Sequence, residues 1–397
     1  MKKSIKIISF VLLLAVITGI CSILFVNKTP ISDYDRSLRK IYGVANVGQG
    51  YSTLTRLEDS IGHSYYFTRD GYVYSSFNNS YPYSHMQEIT DDYGNEFIKV
   101  PKFYTRIDKH EDGTFDLLIS GYKYDKFDTL FKDENGNEIE YVLIGKYEGS
   151  LIEDSGSKYI VSKKDLIPTT NLNFTDSLDY CSNNGNSYHE FDYKIYNIVQ
   201  QLFLIEFATT DSQRVFQGVI NSTEIVKTGI GSLGDNNGLY SNAIGYEDPL
   251  TGAFNYRGIE NIWGNLSTWV KGVYMDNLHS DLLIRTENHK NLSVHVETSF
   301  PVPILQLSPI DGTPYLGFPS LVSNGGSSFS SGFNDSCSYQ TNKEAYLYLC
   351  VGGSYNQKLI NSGLFCMKWG TEHYWSVSDF KTGSRLCFTP KIVSEVV

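Results

Sequence analysis

The chain reads as a mixed α+β protein in which irregular antiparallel β-structure dominates and two helices stand out. Three observations predict this. Short apolar or aromatic runs alternate with turns rich in Gly, Asn and Ser, and the 397 residues include 34 glycines, 30 tyrosines and 22 phenylalanines. Aromatic residues favour pleated, half-buried surfaces, whereas Gly, Asn and Ser favour turns. Only two stretches carry apolar residues at helical spacing. At 41% hydrophobic, the chain has enough apolar material for a sizeable core.

In chain order, MKKSIK precedes Ile7–Val26, a run without charge. A run of about 20 apolar residues spans a bilayer core. Lysines on its short N-terminal side favour that end in the cytoplasm. The expectation is an uncleaved signal-anchor over residues 1–28, touching membrane through residues 7–26. The remainder lies outside the cytoplasm, or is secreted if the segment is cleaved. A polar linker and a small β-rich region are expected over 29–96, and the main domain over 97–397. SYYFTRDGYVYSSF carries a hairpin signal at Asp70-Gly71. FIKVPKFYTRI reads as a strand interrupted at Pro101, and FDLLIS and IEYVLIG as strands. A short helix is expected around Thr175–Cys181. A longer one starts near Asp192, with Ile195, Ile198, Val199, Leu202 and Ile205 on one face. YLYLCV and SRLCF read as buried strands.

The formal charge is −11 with no long basic run, which excludes the electrostatic footprint of a nucleic-acid binder. Five of the six cysteines, Cys181, Cys337, Cys350, Cys366 and Cys387, lie beyond the apolar run. They are too sparse for a disulfide framework. One pair among Cys350, Cys366 and Cys387, or packed thiols throughout, both fit. Gly229, Gly231 and Gly234 match G-x-G-x-x-G but precede a turn-rich loop, not a helix, so they read as loop glycines. No H-E-x-x-H and no G-x-S-x-G is present.

Several segments taken in order say more than any one alone: Ile41–Val44 (IYGV), Lys99–Tyr104 (KVPKFY), Ile144–Ser150 (IGKYEGS), Leu202–Thr209 (LFLIEFAT), YRGIENIWGN from Tyr256, CVGGSY from Cys350 and GSRLCF from Gly383. This ordered set resembles the formylglycine-generating enzyme and sulfatase-modifying-factor superfamily, a variant of the C-type lectin fold. It is most similar to the branch of phage tail-fibre and diversity-generating-retroelement variable proteins. The resemblance covers most of residues 41–390 and implies a C-type-lectin-like domain. The oxidase members carry two cysteines shortly after the GGSY turn. Here Asn356, Gln357 and Lys358 follow, and no cysteine appears before Cys366.

What the resemblance implies is a display surface between the GGSY turn and the GSRL strand. Its candidate ligand-binding residues are Tyr355, Asn356, Gln357, Lys358, Asn361, Lys368, Trp369, Glu372, His373, Tyr374 and Trp375. Aromatics supply rigid contact area and amides adaptable hydrogen bonds. The family's calcium loop would fall on Asn261, Gly264 and Leu266, with Asn265 between them and Thr268 where the family has a Glu. The expected function is non-catalytic, extracytoplasmic recognition of a protein or glycan, with homo-oligomers compatible. The alternatives are an oxidoreductase built on Cys350, Cys366 or Cys387, and a structural component of a phage tail or surface appendage.

Overall fold

The computed structural model describes residues 32–48, 53–231, 243–276, 283–286, 291–293, 302–322, 333–339, 346–358, 361–371 and 381–391. The apolar run Ile7–Val26 lies outside them, and among the described residues no helix is long and apolar enough to cross a membrane. The chain divides into residues 1–39 and 40–397. In the first unit, helix α1 (Asp33–Leu38) is capped by Ser32, whose side chain accepts from the Asp35 N–H at 3.0 Å.

Among the described residues the second unit is mostly antiparallel β-sheet with two further α-helices, in keeping with the α+β class. Helix α2 spans Phe174–Ser182 and helix α3 spans Tyr193–Phe207. Each begins where a short polar side chain takes up an orphan N–H: Asn173 accepts from Asp176, and Asp192 from Ile195. Such a cap contributes about 1 kcal/mol. α3 ends at Ala208 in the left-handed region, and Arg56 donates to the terminal carbonyls of Ile205 and Glu206 at 2.8 and 2.7 Å.

The expectation of a one-faced α3 needs correction. Every residue from Ile195 to Phe207 is buried, including Asn197, Gln200, Gln201 and Glu206. Sheets and loops cover the helix all round, so its polar residues serve as internal connectors. Asn197 Oδ1 accepts from the Leu316 N–H at 2.8 Å, and Gln201 joins the Thr105 hydroxyl to the Pro314 carbonyl. Glu206 takes a two-pronged contact from Arg257 at 2.8 and 2.5 Å. Burial of this pair is tolerable because each group satisfies the other.

The expected boundary at residue 97 also fails to divide the fold. Strand Ile41–Val47 lies between Thr55–Glu58 and Phe115–Ser120 in a four-stranded sheet. Tyr72–Ser75 pairs with Gly245–Glu247, and Gln87–Thr90 with Glu96–Pro101. The region before 97 therefore shares its sheets with the region after it. Pro101 does end a strand, and the chain resumes as Tyr104–Lys109. The Asp70-Gly71 hairpin joins Tyr65–Phe67 to Tyr72–Ser75, with Gly71 at φ +87°.

The largest sheet positions the candidate site. Ser267–Asp276 pairs antiparallel with Tyr346–Gly352, which pairs antiparallel with Gly363–Gly370. Near the end of the chain, Leu386–Phe388 inserts between Tyr188–Glu190 and Tyr141–Gly145 in a separate five-stranded sheet. These pairings join segments distant in sequence, so the GSRL motif returns beside the KYEGS motif.

Candidate recognition turn and the buried network beneath it

The turn after strand Tyr346–Gly352 is shaped by two glycines in the left-handed region, Gly352 at φ +86° and Gly353 at φ +72°. A Cβ on Gly353 would lie 2.2 Å from the Asn361 carbonyl oxygen, so only glycine fits. Two neighbouring segments, Gly264-Asn265 and Asn221-Ser222, then fix the turn through backbone hydrogen bonds. Gly264 N–H donates to the Gly352 carbonyl at 2.9 Å, and Tyr355 N–H to the Asn265 carbonyl at 2.9 Å. Ser222 and Asn221 N–H groups donate to the Tyr355 and Gln357 carbonyls at 2.7 and 3.0 Å.

Of the predicted display residues, Asn356 and Lys358 are exposed on this turn, and Tyr355 and Asn361 are half-buried. Gln357 is turned inward, 9% exposed. Lys368 and Trp369 do not belong to the surface. They are 2% and 1% exposed, in a strand whose eight residues are all buried. Trp369 packs against Phe318 in the core, with ring centroids 5.9 Å apart. Lys368 stands opposite Cys350 in the sheet. Burial lowers its pKa to about 8, while the Cys366 and Cys350 thiols act in the opposite sense. Strand alternation points outward only where one face meets solvent; here both faces are covered. Glu372, His373, Tyr374 and Trp375 lie outside the described residues.

The loop Asn261–Leu266 supports the turn, and its side chains are already engaged. Asn261 Oδ1 accepts from the Phe254 N–H at 3.1 Å, and Asn265 Oδ1 from the Val226 N–H at 3.0 Å. Both amide nitrogens therefore face the Glu148 carboxylate, at 3.2 and 2.6 Å, and the Leu266 N–H donates to it at 3.1 Å. The carbonyls of Glu260 and Asn261 accept from Arg385 Nη2 at 2.7 and 3.1 Å. The loop thus presents donors to an internal carboxylate, and its carbonyls face an internal guanidinium. Calcium requires oxygen ligands, so this donor set does not fit the calcium reading of Asn261, Gly264 and Leu266. Among the described residues no cluster of three or more His, Cys, Asp or Glu could hold a metal ion.

Arg385, fully buried, also donates to the Gly145 carbonyl at 2.8 Å. Three buried carboxylates surround this centre. Glu190 accepts from Ser177, Ser384, Cys181 and the Arg385 N–H. Glu260 accepts from the Gly229 and Gly231 N–H groups, which is the role of the glycines in the G-x-G segment. Burial pushes the Glu148 carboxyl up to about 8, opposed by Arg385 and the two asparagines. Burial likewise pushes Glu190 and Glu260 up to about 7. KYEGS, NIWGN, GGSY and GSRL thus satisfy one another's buried polar groups. The network itself was not read from the sequence, although a charged residue inside an apolar run, as in IGKYEGS and GSRLCF, was its available signal.

The network makes stability depend on pH. Each carboxyl binds its proton more tightly folded than unfolded, where the ordinary value is 4.5. Folding therefore takes up protons between about pH 4.5 and about 8. Stability is expected to fall as pH rises through that window, and Glu148→Gln should flatten the fall. Urea unfolding at pH 5, 7 and 8.5 checks this; a steady gain toward alkaline pH is the contrary result.

Cys181, Cys337, Cys350, Cys366 and Cys387 are all buried and free. Burial pushes Cys337 up to about 12 and Cys366 up to about 11, and the other three well above their ordinary value. Catalytic and metal-binding cysteines act as thiolates, and these surroundings favour the thiol. Neither models of protein families nor curated proteins give a match to this chain.

Proposed function

We propose that this chain is a non-catalytic recognition protein with a C-type-lectin-like domain, which binds an exposed protein or glycan through the turn carrying Tyr355, Asn356, Lys358 and Asn361. The observation that carries the reading is a turn tied by backbone hydrogen bonds to two neighbouring segments while Asn356 and Lys358 are exposed. Such a turn loses little conformational freedom on binding, so its contacts are not spent on ordering it. Loops held on rigid scaffolds commonly carry function. The mutual contacts of the motifs that resemble the sulfatase-modifying-factor superfamily support a fold of that type.

The lysine-flanked apolar run Ile7–Val26 supports a membrane-anchored protein whose recognition domain lies outside the cytoplasm. Many copies on one membrane would strengthen modest single-site affinity. The oxidoreductase reading gains no support from five buried thiols. The test is binding of the full chain, in detergent, to protein and glycan arrays, with a Tyr355→Ala, Asn356→Ala, Lys358→Ala triple variant alongside. The expected result is specific binding lost in a variant whose melting temperature is unchanged within a few degrees, since its sites are not fully buried. Undiminished binding by the variant overturns the placement.

A further inference from the structure

A second site lies away from the turn, beside the start of α3. Strand Ser267–Asp276 leaves its partner there: Val270 pairs with Leu349 and Tyr274 with Tyr348, so Lys271, Gly272 and Val273 bulge out between two consecutive partners. Bulges re-aim side chains and are frequent beside functional sites. The bulge turns the backbone toward α3: the Lys271 N–H donates to the Phe191 carbonyl at 2.9 Å, and the Lys271 backbone pairs in parallel with that of Asp192 as an isolated β-bridge. Two adjoining clefts of about 330 and 360 Å³ open here, and both are lined by Asp133, Glu134, Asp192, Lys194 and Lys271.

The charges of the clefts are largely spoken for. Lys132 pairs with Asp128 at 2.9 Å and Lys391 with Glu134 at 3.0 Å. Lys194 lies 3.9 Å from Asp192 and donates to the Lys132 carbonyl at 3.2 Å. Lys271 makes no ion pair among the described residues. The lining therefore offers one unneutralised cation among carboxylates. Those carboxylates repel any anion, a dianion such as phosphate about twice as strongly as a monoanion at the same distance. A single carboxylate can pair with Lys271, while hydroxyl donors on the same molecule can serve the surrounding acceptors Asp179 and Asp192. Thr389 and Tyr188 line the first cleft, their hydroxyls engaged with His189 at 2.8 Å and Asp91 at 2.9 Å, and Pro314 and Tyr315 line the second. Pockets of a few hundred Å³ suit small molecules.

We propose that these clefts form a binding site for a carboxylate-bearing sugar, free or at a glycan end, with Lys271 as the group that holds the carboxylate. The site is separate from the turn and goes beyond its role. The experiment titrates the full chain in detergent micelles with sodium glucuronate, glucose and alanine, following their proton resonances by saturation-transfer NMR, and reads inorganic phosphate, which has no such protons, as a competitor of the glucuronate signal. Wild type, Lys271→Gln and Lys271→Arg are compared, with Lys126→Gln on an exposed loop as the control. The expected result is saturable glucuronate binding, weakened about tenfold or more by Lys271→Gln and kept by Lys271→Arg and Lys126→Gln, in line with loss of one charge-assisted hydrogen bond. Glucose, alanine and phosphate should bind more weakly than glucuronate. Absence of saturable glucuronate binding, equal binding by Lys271→Gln, or tighter binding of alanine or phosphate overturns the proposal.

Discussion

Replacing Arg385 with methionine is expected to destabilise the chain by about 3–5 kcal/mol, the range for removing one partner of a buried charge cluster. The guanidinium is fully buried and donates to the carbonyls of Gly145, Glu260 and Asn261 at 2.8, 2.7 and 3.1 Å. Methionine fills similar space but leaves those carbonyls without their donor. It also leaves Glu148, Glu190 and Glu260 without the cation whose field they share. Arg385→Lys keeps the charge but cannot reproduce a planar fork that reaches two strands and a loop together. Its cost should fall between wild type and methionine. Urea unfolding at pH 8.5, above the values of about 8 and about 7 to which these carboxyls are raised, measures both. A loss under about 1 kcal/mol for Arg385→Met would mean that the carboxylates are neutral and the carbonyls rehydrated, and the network would cease to explain the rigidity of the loop.

The second large effect is expected at Gly353. Its φ of +72° lies in the region that side chains rarely adopt, and an added Cβ would meet backbone, the Asn361 carbonyl oxygen at 2.2 Å. No rotamer change can relieve a clash with backbone, so Gly353→Ala must reshape the turn itself. A cost of roughly 1–3 kcal/mol follows for the strained conformation alone, with the clash in addition. Gly62 is the control: it too has positive φ, at +88°, but nothing lies within 4 Å of its Cβ position. Gly62→Ala should therefore cost less than Gly353→Ala. Amide hydrogen exchange adds a local readout. In Gly353→Ala the Tyr355 N–H should lose protection, because its bond to the Asn265 carbonyl depends on the turn's path. Retained protection together with unchanged stability would show that the turn tolerates another shape.

Much of the local structure was legible in the sequence. The longer helix starts at Asp192, where a polar residue precedes apolar periodicity, and Pro101 marks the end of a strand. Such signals act within a few residues of themselves. The domain boundary was not legible, because strand Ile41–Val47 finds its partner at Phe115–Ser120 and Tyr72–Ser75 at Gly245–Glu247. No local pattern encodes such pairings. α3 misled in the same way: Ile195, Ile198, Val199, Leu202 and Ile205 read as one apolar face, but Asn197, Gln201 and Glu206 are buried too, and each meets a partner from a distant loop or strand.

The candidate site was legible in part. Two glycines and a polar stretch correctly marked a turn that exposes Asn356 and Lys358. The reading went too far along the chain. Lys368 and Trp369 look like display residues in isolation, yet they lie in the strand after the turn, where both faces are covered. Glu148 was missed because its partners Asn261, Asn265 and Leu266 come from a loop more than a hundred residues later. The cleft at Lys271 was missed for a related reason. A bulge is a property of two strands, and neither strand announces it alone.

The most direct test of recognition without catalysis compares two variants on whichever array ligand the wild type binds. One carries Tyr355→Ala, Asn356→Ala and Lys358→Ala on the turn; the other carries Cys350→Ala and Cys366→Ala in the buried strands. Melting curves establish that both are folded before affinities are measured by titration. Recognition by the turn predicts that the first variant loses the ligand and the second retains wild-type affinity. Retention by the first and loss by the folded second would contradict it, and would return the cysteines to the centre of the function.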